Sequence, residues 1–146
     1  MKEITGNEIT QIEGDIVDAL LEAAEYKLHR EQRTVVIKRG GKNLFSFRVE
    51  GLTEDQWRTC RRNNLRRHGR GEELDGGRFL SQAIYTATID EDKHIWNNRE
   101  VWEKLGAVTG SDVVNAILLP GEKSRIGEVL EELSGYNDDL DDLIKN

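Results

Sequence analysis

The sequence predicts an α+β fold: a small antiparallel β-hairpin or three-stranded sheet near the N-terminus, then a predominantly helical half of short helices. Three observations predict it. The glycine pair Gly40-Gly41 separates two runs rich in β-branched and aromatic residues. Apolar residues recur at helical spacing before that hairpin and in most segments after it. Capping residues and glycines then cut the second half into short pieces.

Composition sets the outer bounds. The 146 residues fit one domain, with 1–13 read as a flexible polar segment and 14–146 as the domain itself. Leu, Ile, Val and Phe make up 38 residues, enough to order a small core, while the charged share of 34% predicts a heavily charged surface. No apolar run approaches the ~18 residues needed to span a bilayer, and the first residues lack a signal-peptide core. One cysteine, Cys60, gives no internal disulfide and suits a cytoplasmic location. Residues 1–70 carry 14 Lys/Arg against 11 Asp/Glu, and residues 71–146 carry 7 against 17. That asymmetry predicts two faces of different charge, and the sequence pI of about 5.1 argues against general nucleic-acid binding.

The elements follow in order. Val17, Leu20, Leu21, Ala24 and Leu28 form one stripe of an amphipathic helix over about 15–30, with Lys27, His29 and Arg30 at its cation-favouring end. Core packing is the simpler use of that stripe, and an offer to another chain is the alternative. The hairpin spans about 34–50, and Phe45, Phe47 and Val49 alternate with polar neighbours. Thr53, with Gln56 three residues on, predicts a capped helix over 53–67. Residues 68–77, with four glycines, read as a loop. Helices are then expected over about 77–89, 98–105, 110–119, 122–134 and 138–144. Asn98, a Thr109/Asp112 capping box and Asn137 start three of them, and Gly106 and Pro120 stop two.

Chemistry is sparse. No GxSxG, HExxH, Walker A or helix-opening GxGxxG is present. Cys60, beside Trp57, is best read as a core residue. His29, His68 and His94 fall in separate segments without metal-ligand spacing. Asp90-Glu-Asp92-Lys-His94 lacks the glycine and the bidentate glutamate of a calcium loop. No catalytic set, cofactor or metal site is expected.

One cationic feature has some force. Arg58, Arg61, Arg62 and Arg66 lie at i, i+3, i+4 and i+8, a stripe extended by Arg67 and Arg70. It could meet an acidic partner, or it could be balanced by this chain's own acidic half. The alternative function is a small nucleic-acid-binding regulator using this Arg-rich segment, 58–70. The candidate partner-binding residues are therefore Arg58, Arg61, Arg62 and Arg66, together with Val17, Leu20, Leu21 and Leu28.

Read in order, these pieces resemble the tail assembly chaperones of Gram-positive phages and PBSX-like prophages. The resemblance lies in Arg48-Val-Glu-Gly-Leu-Thr-Glu-Asp55, Leu105-Gly-Ala-Val-Thr-Gly-Ser-Asp-Val-Val114 and Leu118-Leu-Pro-Gly-Glu122. Leu133-Ser-Gly-Tyr136 and the closing Leu143-Ile-Lys-Asn146 extend it, so that it covers roughly residues 20–146. The chain departs from the family pattern at Ile89-Asp-Glu-Asp-Lys-His94, where a proline-containing link is expected. The resemblance implies a non-enzymatic assembly factor of the bacterial host cytoplasm. Such a factor binds the tail tape measure protein, helps recruit tail tube subunits and is absent from the finished virion. It implies no membrane partner and leaves self-association open.

Overall fold

The computed structural model describes the backbone of residues 6–135 and the side chains of residues 14–135. The chain divides into two compact units, residues 1–30 and residues 31–146. The helix expected at 138–144 lies outside the described residues.

Among the described residues the first unit contains one long helix, α1 (Gly6–Leu28). It begins well before Asp15, so the polar stretch from Gly6, expected to lie outside the helix, is helical. Gly14 sits inside it and does not mark its start.

The second unit opens with the hairpin. Strands β1 (Gln32–Arg39) and β2 (Lys42–Glu50) pair antiparallel. Gly40 and Gly41 take φ of 59° and 75°, the left-handed conformation that two-residue hairpin turns require. The alternation predicted for β2 holds: Phe47 and Val49 are buried, and Phe45 is half-buried. Opposite them, Val35 and Ile37 pair with Phe47 and Phe45.

Helix α2 (Glu54–Asn63) carries the full Thr53/Gln56 capping box. It ends earlier than the expected Arg67, and the reason lies in Asn64. Its amide donates to the Cys60 carbonyl at 2.7 Å and to Gln82 Oε1 at 2.8 Å, which satisfies the last turn and turns the chain away. Residues 65–74 then form a second hairpin, β3 (Leu65–His68) and β4 (Gly71–Leu74), where the end of the helix over 53–67 and a loop over 68–77 were expected. Its register sets Leu65 against Leu74 at the base, then Arg66 against Glu73 and Arg67 against Glu72, and the Asp75 N–H donates to the Asn64 carbonyl at 2.8 Å to close it.

The helical half comprises α3 (Gly76–Ala87), α4 (Arg99–Leu105), α5 (Gly110–Ile117) and α6 (Pro120–Leu133). Asn98 caps α4, Gly106 ends it with φ 65°, and Thr109/Asp112 box α5, as the sequence predicts. Pro120 serves two neighbours: it follows α5 and is the first residue of α6, where its missing N–H costs nothing. The stretch Asp90–Ile95, where the chain departs from the family pattern, is a 3-10 helix.

The core of this unit centres on α3, which packs against α2, α5 and α6 and touches β2. Phe47, Val49, Ala83, Ile84, Ala87, Trp96, Val113, Val114 and Leu130 are buried there. Trp96 is the pivot. At 1% exposure its ring meets Phe47 and Phe45 edge-on at 5.1 and 5.8 Å. Its Nε1 donates to Thr88 Oγ1 at 3.1 Å, so the polar end of the indole is satisfied inside the core.

Candidate partner-binding surface

The two predicted contact sets behave differently. On α1, Val17, Leu20, Leu21 and Leu28 are all exposed, from 54% for Val17 to 77% for Leu28. Ile16 and Tyr26 are exposed as well, which leaves α1 without one buried side chain among residues 14–28. Six large apolar side chains of α1 thus face water.

The arginines do not form one helical stripe. Arg58, Arg61 and Arg62 project from α2, whereas Arg66 lies on β3, because the helix stops at Asn63. Two of the four are paired. Arg58 Nη1 donates to Asp55 Oδ1 at 3.2 Å, and Arg66 bonds the carboxylate of Asp75. Asp75 also accepts from the Arg78 backbone N–H, which caps α3, and this backbone bond first and the Arg66 guanidinium second hold its pKa below the ordinary carboxylate value.

The charge asymmetry of the two halves has a structural use. Arg33, Arg39, Arg48 and Arg66, all in the basic half, reach Glu132, Glu122, Asp92 and Asp75 in the acidic half. Arg39 does most. It grips Glu122 with Nε at 3.2 Å and Nη2 at 2.7 Å, and Nη2 also donates to the Ile117 carbonyl at 2.6 Å. Glu122 in turn accepts from the Leu119 N–H at 2.8 Å, so the Leu118-Leu-Pro-Gly-Glu122 segment is a corner clamped onto the tip of the first hairpin. Arg48 does the same for the 3-10 helix, bonding Asp92 through its backbone N–H and two guanidinium nitrogens at 2.8–3.0 Å. The Arg39 and Arg48 guanidinium groups hold Glu122 and Asp92 below their usual pKa range.

Two further segments of the sequence meet at Gly51. A Cβ placed there would lie 2.7 Å from the Leu133 carbonyl carbon, so only glycine lets the β2–α2 corner sit on the end of α6. Ser134 Oγ locks the joint: it accepts from Leu52 N at 3.0 Å and Trp57 Nε1 at 3.3 Å and donates to the Leu130 carbonyl at 2.6 Å. Arg48–Asp55 and Leu133–Gly135 are thus two sides of one contact. Sequence spacing carries no signal for that pairing.

A cavity of about 270 Å³ between α2, α3 and α5 is lined only by polar side chains, but these bond one another: Asn64 to Gln82, Ser81 to Asn115 and Arg78 to Asp112. Beside it Lys123, 7% exposed, donates to Asn115 Oδ1 at 2.6 Å, and burial lowers its pKa. Cys60 is buried, and desolvation pushes its thiol pKa up, which lowers the fraction present as thiolate. Among the described residues, no group of His, Cys, Asp and Glu is placed to hold a metal ion, and no helix is long and apolar enough to cross a membrane.

The fold and its surfaces define a small α+β domain preceded by a helix with an exposed apolar face. The family model of the phage XkdN-like tail assembly chaperone proteins matches residues 17–146, and the chain belongs to that family. No curated protein and no solved structure matches it.

Proposed function

We propose that this protein acts as a non-enzymatic chaperone in the host cytoplasm, binding the tail tape measure protein, keeping it soluble and helping to recruit tail tube subunits. On this reading it leaves before the virion is finished. The observation that carries the reading is the family match over residues 17–146, which includes the apolar face of α1. A long helical protein rich in apolar heptads aggregates unless its seams are covered, and a cover with net charge −7 keeps the complex dispersed. The four candidate arginines are offered as contacts for acidic groups on a partner. The experiment is co-expression with the tape measure protein of the same locus. A soluble complex that co-purifies is expected. A tape measure protein as insoluble as when expressed alone overturns the proposal.

A further inference from the structure

The apolar stripe of α1 has a partner class written into its borders. Asp15, Asp18, Glu22 and Glu25 follow one another at intervals of three, four and three residues, so they run as a second, acidic stripe along one side of Val17, Leu20, Leu21 and Leu28. All eight side chains are exposed. Lys27 is the only cation among residues 14–28. A second copy laid on this face antiparallel would set acid against acid along the whole border, whereas a helix edged with Lys or Arg would neutralise it. The Val17–Leu28 face runs 11 residue steps at 1.5 Å rise, roughly 17 Å or about three helical turns, a length that the face of another amphipathic helix can cover.

We infer that the Val17–Leu28 face of α1 is a docking helix for an amphipathic helical segment whose apolar seam is bordered by Lys or Arg. The inference deepens the chaperone reading, on which the identity of the natural partner rests. The class of partner rests on the apolar stripe and its acidic border alone.

The test is fluorescence anisotropy of the full chain with two labelled synthetic peptides of equal length. Both carry Leu at the a and d heptad positions. One has Lys at e and g, the other Glu. Saturable one-to-one binding of the Lys peptide is expected at physiological salt, tighter than the Glu peptide by about tenfold or more. The substitutions L20D/L21D, and the helix-sparing L20Q/L21Q, should each weaken it by about tenfold or more. Reversing the border with D18K/E22K/E25K should invert the preference toward the Glu peptide. The same charge change placed elsewhere, E103K/E128K/E131K, should leave affinity within about threefold.

Equal weakening by that last variant would reduce the effect to net charge and overturn the inference. So would unaltered binding by L20Q/L21Q. A dimer in sedimentation that L20D/L21D dissolves would make a second copy the occupant, and would overturn it too. Failure here is distinguishable from failure of the chaperone reading. A tape measure protein kept soluble equally well by L20Q/L21Q removes the docking helix and keeps the function; peptide binding without tape measure rescue does the reverse.

Discussion

Residues 14–28 and residues 31–135 use the same kinds of apolar side chain to opposite ends. In the second unit Ile, Leu and Val fill a core around Trp96 and α3, and nearly every element is also tied by a side-chain bond to another. In α1 the same residue types stand in water. The difference teaches that helical periodicity reports amphipathicity and says nothing about which molecule supplies the other side. One unit spends its apolar surface on itself. The other leaves it exposed.

The sharpest way to break that contrast is to damage the pivot of the core. Trp96→Ala removes a buried ring that meets both Phe45 and Phe47, and should cost about 3–5 kcal/mol in urea unfolding followed by fluorescence of Trp57 and Trp102. Gly51→Ala should cost about 1–3 kcal/mol, because the new methyl must displace the backbone of Leu133. A smaller effect is expected from acid. The carboxylate of Asp92 is held low first by its bonds to the Arg48 guanidinium, so its contribution is complete above the ordinary carboxylate pKa of about 4 and is lost as pH falls through its depressed value. Thermal unfolding should therefore shift downward below that pH, and Asp92→Asn should flatten the dependence. Smallest of all is Leu20→Asp, which should leave unfolding of the second unit within about 0.5 kcal/mol of the parent. A larger loss would show that α1 contributes to that core.

Much of the fold is legible in the residues because local rules and the final structure agree. Gly40-Gly41 dictates the hairpin, and the caps Thr53, Asn98 and Thr109 start helices where they stand. The second hairpin is not legible by apolar pattern. Leu65-Arg-Arg-His68 and Gly71-Glu-Glu-Leu74 contain no β-branched residue; the half-buried Leu65 and Leu74 pair at the base, and arginines face glutamates across the ladder. Two arginines and two glutamates in mirrored positions around Gly69-Arg70 are the signal that finds it. The candidate surface is half legible. The α1 stripe follows from spacing alone, but its exposure does not. The arginine stripe assumes a helix that Asn64 ends, so Arg66 falls on a strand. Long-range joints such as Gly51 with Leu133 are invisible, since each side looks locally complete.

The clamps onto α6 also order events in time. Arg33, Arg39, Leu52 and Trp57 all find their partners between residues 117 and 134. A ribosome making this chain from its N-terminus must therefore release nearly the whole of the second unit before the first hairpin and α2 acquire those neighbours. Completion of the domain is a late event in synthesis, set by the emergence of Ser134.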